Sequence, residues 1–148
     1  MSTFDGRIRE FPNVFVDNFS ASFLLPDRHQ AFFLSHAHSD HMRGLDSRLF
    51  QDRFLTHPRA SFYASPETKE LLLQRTEYRR IAQAIIPIAV YEPIQLPLSP
   101  DVAWNGTKDA GAPEDDRIVH LTSVFLPAQH CPGSISIYFS GRFYPFGQ

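Results

Sequence analysis

Three histidines and an aspartate lie within six consecutive positions in the first third of the chain. They occupy residues 36–41, whose sequence is HAHSDH and which follow an apolar segment. In an extended conformation, residues two apart point the same way, so His36, His38 and Asp40 are expected on one side of the loop and His41 on another. Imidazole nitrogens and carboxylate oxygens suit zinc, with manganese or iron at a site richer in carboxylates. The stretch therefore predicts a metal-binding loop in which His36 and His38 hold one ion while Asp40 and His41 reach a second.

A second histidine turn lies far along the chain. His130 falls at the apex of a predicted tight turn over residues 127–134 (PAQHCPGS), again directly after an apolar strand. It can supply the third nitrogen of a tetrahedral zinc site and leave the fourth position for water. Cys131 is a softer ligand candidate, and its side chain is expected to face away from that of His130. Three other histidines lack such a context and are interpreted as ordinary: His29, His57 and His120.

The alternative interpretation of residues 36–41 is a polar loop in which the histidines coincide by chance. It is disfavoured because three of the seven histidines in the chain fall in this one stretch. A metal-binding loop is the better prediction.

These residues must be held by strands, which the β-branched and aromatic segments predict. Strands are expected over residues 14–17, 31–34, 61–64, 118–126 and 135–139. Asp17 ends the first of them, where an acid can lie at the rim of a sheet, although from these residues alone a solvated loop aspartate is equally compatible. Residues 85–86 and 88–90 are strand-like pieces separated by Pro87, which indicates an edge strand or a bulge.

The clearest helix begins after Ser65. Ser65 is a typical N-cap, Pro66 suits the first helical position, and apolar residues continue the pattern to Ile81. The arginines near its far end are interpreted as a solvated face. Residues 48–59 are mixed and predict no single element. Residues 97–117 are polar and rich in Pro, Gly, Asp and Ser, and disorder is favoured over a functional loop.

Composition limits the kind of protein. A chain of 148 residues with 43% hydrophobic residues suits one globular domain, and Cys131 as the sole cysteine excludes an internal disulfide. The net charge of −2 provides no positive surface for nucleic acid across the whole chain, so phosphate binding would need a local patch or a metal ion. The sequence has neither a secretion signal nor an apolar run long enough for a membrane span, so an intracellular, reducing compartment is expected.

The motifs resemble a known family. Residues 36–41 match the HxHxDH signature of the metallo-β-lactamase fold, and the flanking residues 34–45, 63–73 and 130–134 resemble the β-CASP DNA-repair nucleases. The resemblance implies an α/β fold, the N-terminal portion of an αββα sandwich with a mixed sheet and flanking helices. Residues 1–148 would form a partial, incomplete metallo-β-lactamase domain.

The resemblance also implies roles for the site residues. His36, His38 and His130 would hold one zinc ion, and Asp40 and His41 would contribute to a second. Asp40 would assist with a proton during phosphodiester hydrolysis, while Asp17 would brace the histidine loop from behind the ligands. The substrate would be DNA with single-stranded ends, hairpins or overhangs. The setting would be double-strand-break and crosslink repair in the nucleus, with end-joining repair proteins as partners and no membrane.

The resemblance stops after residues 139–141. The family's next Gly-Asp-Phe turn, whose aspartate would bridge two metals, has no counterpart, and the β-CASP region and the C-terminal half of the sandwich are missing. The sequence therefore predicts a truncated form of such a nuclease, whose activity stays open. One alternative is a non-catalytic form that binds metal or a partner. Another is a small-molecule thioester hydrolase of the same fold, against which the flanking residues argue.

Overall fold

The computed structural model describes residues 4–96 and 117–144, so the predicted disordered loop lies outside the described residues except for Arg117. In chain order the strands and helices are β1 (Arg7–Ile8), β2 (Phe11–Val16), β3 (Gln30–Phe33), α1 (Arg48–Thr56), β4 (Ala60–Ala64), α2 (Pro66–Leu73), α3 (Arg79–Ala82), β5 (Ile85–Pro87), β6 (Pro93–Leu96), β7 (Arg117–Pro127) and β8 (Ile135–Tyr144). Short 3₁₀ turns cover Ala21–Phe23 and Ser39–His41.

The first sheet has the order β1-β2-β3-β4-β5, with β2 to β5 parallel and β1 antiparallel to β2. Phe15, Phe32 and Phe62 lie side by side across three strands, in register with Ile85 of β5. These residues belong to the core that the helices cover. Neighbouring positions such as Phe33 point to the opposite face and enter a second core. Both faces of β3 are therefore buried, which explains the apolar sequence that follows Gln30 in this strand.

The second sheet is antiparallel, with the order β6-β7-β8. It packs on the face of the first sheet that lies opposite the helices, because Phe33 shares a core with Leu121, Phe125 and Ile135. The Phe33 ring lies 6.1 Å from that of Phe125, edge to face. The described residues thus form a helix layer, a mixed sheet and a second sheet. The predicted α/β class, a mixed sheet with flanking helices as in part of a metallo-β-lactamase fold, is confirmed.

Two predictions about helices were wrong. Residues 48–59, to which no element was assigned, contain α1, which Ser47 caps by accepting a hydrogen bond from the Phe50 amide. The single helix expected from Pro66 to Ile81 is divided into α2 and α3. Between the two helices, the Gln51 side chain of α1 donates to the Glu77 carbonyl oxygen at 3.0 Å, so a contact from another element lies at the division.

The predicted strand split at Pro87 is partly present. Residues 85–87 form β5, which is the edge strand of the first sheet, as proline requires. Residues 88–90 are not a strand. Within the described ranges, no helix combines the length and apolar character needed to cross a membrane.

Candidate metal centre

Asp17 connects the end of β2 to the histidine loop. It follows β2 with a left-handed backbone (φ 55°), a conformation that aspartate tolerates better than most residues. One carboxylate oxygen accepts from the Ser35 amide at 2.7 Å, and the other accepts from the Ser35 hydroxyl at 2.6 Å. The second oxygen also accepts from His41 Nδ1 at 2.8 Å. Asp17 therefore lies at the end of β2, at the rim of the sheet, and bonds to two residues of the histidine loop, Ser35 and His41. Its bracing role stays a prediction.

The contacts of Ser35 determine the tautomer of His36. A hydroxyl has one proton, and a carboxylate can only accept, so the Ser35 proton is donated to Asp17. Ser35 Oγ also lies 2.9 Å from His36 Nδ1, so this nitrogen must carry the proton that Ser35 accepts. His36 Nε2 is left with its lone pair, buried and, among the residues that the structure describes, without a hydrogen-bond partner. Such an unsatisfied buried acceptor is rare in proteins and is suited to a metal ion.

Two turns that are distant in the sequence come together beside His36. His36, His38 and His130 each offer a ligand atom, and these atoms all lie within 4.8 Å of one another. His38 Nδ1 and His130 Nε2 are 3.3 Å apart although 92 positions separate them. His36 is buried whereas His38 and His130 are exposed, so the group is open on one side. The three histidines fit a tetrahedral metal ion with a free fourth position.

The charge state of His36 favours this role. Burial lowers the pKa of His36 below its ordinary value of 6.5, and the neighbouring His41 and His38 lower it further. The neutral imidazole is the form that binds metal ions, so the surroundings of His36 keep it ready for a ligand role.

Asp40 and His41 lie beside this group but outside it. The His41 ring centroid is 4.0 Å from that of His36, and its Nδ1 is turned toward Asp17. His41 Nε2 lies 3.5 Å from an oxygen of Asp40, whose side chain is 79% exposed. Among the described residues, the convergent set comprises His36, His38 and His130 alone. A second ion at Asp40 and His41 stays a prediction.

Hydrogen bonds fix the His130 turn to the first loop and close it upon itself. The Ile135 amide donates to the Ser35 carbonyl oxygen at 3.1 Å, which joins the start of β8 to the residue before His36. Within the turn, Ser134 Oγ donates to the Ala128 carbonyl oxygen at 2.6 Å and accepts from the Cys131 amide at 3.1 Å. Sequence reasoning missed Ser35, whose only signal was a polar residue placed between an apolar strand and the first histidine.

No model of a protein family matches the chain. Curated relatives do. Protein artemis of Homo sapiens is 37% identical over 142 residues, which are 96% of this chain and 18% of that protein. The Gallus gallus protein of the same name is 37% identical over 142 residues, with the same coverage of both chains. The Danio rerio protein is 33% identical over 141 residues, 95% of this chain and 20% of that protein.

The chain spans about a fifth of the length of the curated relatives it matches. Residues 1–6 and 14–17 had predicted this similarity to Artemis, beyond the three motifs that predicted the family. The match runs over almost the whole chain and includes every residue of the histidine group. The predicted resemblance is therefore confirmed: over 95–96% of its length the chain is similar to the amino-terminal part of Artemis.

Proposed function

We propose that the chain forms the histidine site of a zinc-dependent nuclease domain that hydrolyses phosphodiester bonds in DNA. The single observation that carries this proposal is the closeness of the ligand atoms of His36, His38 and His130, together with a buried His36 nitrogen that has no hydrogen-bond partner among the described residues. The homology to Artemis, a DNA-repair nuclease, supports the choice of substrate class. By the same relation, we place the function in the nucleus, in double-strand-break and crosslink repair alongside end-joining proteins.

Each residue of the site has a separate task in this proposal. The three histidines hold the ion, and zinc, when bound, supplies a Lewis acid for the phosphate group and for water. Asp17 and Ser35 orient His36, and Asp17 also orients His41. Asp40 is the exposed carboxylate nearest to His41. It can accept a proton from His41 or donate one to it. Asp17 is thus a positioning residue, and Asp40 is the candidate for proton transfer.

A second candidate function is metal binding without cleavage. It is favoured by one observation, which is that the convergent group in the described part of the chain contains three nitrogens and no carboxylate. An ion held by these nitrogens alone, with no carboxylate to bridge it to a second ion, would stabilise the fold or a partner contact without turnover.

The test combines metal analysis with turnover. We expect the purified full chain to bind one equivalent of Zn²⁺, and expect His36→Ala and His130→Ala to lose it. His29→Ala is the matched control, because His29 precedes β3 at the end opposite to His36 and should leave zinc unchanged. Metal content is measured by plasma mass spectrometry after desalting.

The same preparations are assayed on labelled single-stranded DNA, on a DNA hairpin and on a small thioester. Cleavage of DNA that is lost in both histidine variants supports the nuclease. Zinc binding without turnover supports the binding function, and thioester turnover alone overturns the proposed substrate. A wild-type chain without zinc, or zinc that survives both substitutions, overturns the metal site.

A further inference from the structure

The turn that carries His130 is attached to the N-terminus of α2. Ser65 Oγ donates a hydrogen bond to the Gly133 carbonyl oxygen at 2.7 Å, and Thr68 Oγ1 lies 3.3 Å from the same oxygen. Ser65 and Thr68 are 2% and 0% exposed, so both hydroxyls are removed from water. The bond crosses 68 positions of sequence and is unrelated to the bonds that build the helix itself.

Ser65 has two functions through one oxygen. Its Oγ accepts from the Thr68 amide at 3.2 Å and so caps α2, while its proton is donated to Gly133. A capping residue needs only the acceptor half of the hydroxyl. The donor half is therefore available to hold the turn, and the position of the turn depends on where the helix begins.

Gly133 has little freedom against this helix end. Its backbone is left-handed (φ 80°), and a Cβ built on it would lie 2.9 Å from Glu67 Cβ and 3.0 Å from Ser65 Oγ. A side chain here would collide with the helix, so the close approach needs glycine. The turn is fitted directly against the first residues of α2.

Gly133 and His130 belong to one turn that is closed by its own hydrogen bonds. Ser134, the residue after Gly133, bonds both Ala128 and Cys131, which lie on either side of His130, so the segment that carries His130 is bonded to Ser134. The His130 ring itself is exposed, and its hydrogen-bond partner within the described part of the chain is His38, which belongs to the same group. The backbone of the turn must therefore determine where the His130 nitrogen lies.

We propose that Ser65 and Thr68 are positioning residues for the third metal ligand, holding the His130 turn at the distance that allows its nitrogen to meet those of His36 and His38. The inference rests on the proposed metal site but not on DNA cleavage. It assigns a role in ligand geometry to residues that touch neither metal nor substrate.

The experiment measures Zn²⁺ affinity of the full chain by competition with a chromophoric chelator, and the visible absorption of the Co²⁺-loaded chain. Ser65→Ala is expected to weaken Zn²⁺ binding about 10- to 100-fold, the range found when a group supporting a metal ligand is removed. It should also change the Co²⁺ bands, which report coordination geometry. Thr68→Val removes the longer bond to Gly133 and the 3.0 Å contact of Thr68 Oγ1 with Ser65 Oγ but keeps the shorter bond and the cap, so it should weaken binding less.

Two variants separate positioning from general stability. Ser65→Thr keeps both donor and acceptor and should restore wild-type affinity and the wild-type Co²⁺ spectrum. Ser47→Ala removes the cap of α1, a bond of the same type that joins Ser47 to its own helix and not to either histidine turn, and it should lower the thermal midpoint with unchanged Zn²⁺ affinity.

The outcomes distinguish the two proposals. Tight Zn²⁺ binding in the wild type that is unchanged in both Ser65→Ala and Thr68→Val overturns the positioning role alone. Equal losses of affinity in Ser65→Ala and Ser47→Ala overturn it as well, because the effect is then one of stability. A wild-type chain that binds no Zn²⁺ overturns the metal site and this inference with it.

Discussion

The Ser35 hydroxyl has one proton and two neighbours within hydrogen-bond distance, Asp17 at 2.6 Å and His36 Nδ1 at 2.9 Å. Metal-bound histidines in proteins commonly donate their second nitrogen to a carboxylate, which fixes the tautomer and raises the basicity of the ligand. Here the Ser35 hydroxyl lies between the Asp17 carboxylate and the His36 imidazole, and it fixes the tautomer of His36 in the same way. At the scale of single residues, the site therefore depends on a hydroxyl that binds no metal.

We expect Ser35→Ala to weaken Zn²⁺ affinity about 10- to 100-fold, because His36 Nδ1 loses its acceptor and the ring is free to adopt the other tautomer. Chelator competition measures the change. Ser22→Ala is the matched control, since the Ser22 hydroxyl contacts Ser20 at the surface, on a different segment. Identical Zn²⁺ affinities for the two variants would contradict the proposed role of the Ser35 hydroxyl in fixing the tautomer of His36.

At the scale of helices and strands, α1 connects β3 to β4. This connection allows the two strands to be parallel. Phe50 and Phe54, four residues apart, lie on the buried side of the helix, and the Phe50 ring packs edge to face on that of Phe32 at 5.5 Å. Leu49 is 56% exposed on the same helix. The side of α1 that packs on the sheet thus consists of the two aromatic rings, with the buried Gln51 beside them.

Phe50→Ala should lower the free energy of unfolding by about 3–5 kcal/mol, because it removes a fully buried ring and leaves a cavity. Leu49→Ala should change it by less than about 0.5 kcal/mol, as exposed positions usually do. Urea denaturation followed by circular dichroism gives both values. Comparable losses at the two positions would mean that α1 does not pack as described.

At the scale of the whole molecule, the metal group exists only where the two sheets meet. His36 follows β3 of the first sheet, whereas His130 precedes β8 of the second. The Phe33 and Phe125 rings and the bond from the Ile135 amide to Ser35 hold these parts together. An ion that binds all three histidines therefore binds the packed molecule and not either sheet alone.

Zn²⁺ at a hundredfold excess over its Kd should raise the free energy of unfolding by about 2.7 kcal/mol, because it binds the folded state in preference to the unfolded chain. His130→Ala should show little of this stabilisation and His29→Ala all of it. Thermal unfolding with and without Zn²⁺, and after addition of a chelator, measures the effect. Equal stabilisation of the His130→Ala variant would indicate that the ion binds elsewhere.

The sequence by itself predicted the ligand types, the strand-to-turn transitions that present them, the capped start of α2 and, with a bulge as the alternative, the edge position of β5. These follow from signals that act over a few residues: apolar runs, the alternation of strands, and the N-cap serine beside a proline. It also predicted the similarity to Artemis, because its motifs are specific. The tertiary structure alone decided how close the ligand atoms of the two histidine turns lie, that the predicted long helix is divided with a bond from Gln51 between its parts, and that Ser35, Ser65 and Thr68 bond to residues of these turns. Such contacts form only after sheets and helices pack, so no local pattern encodes them.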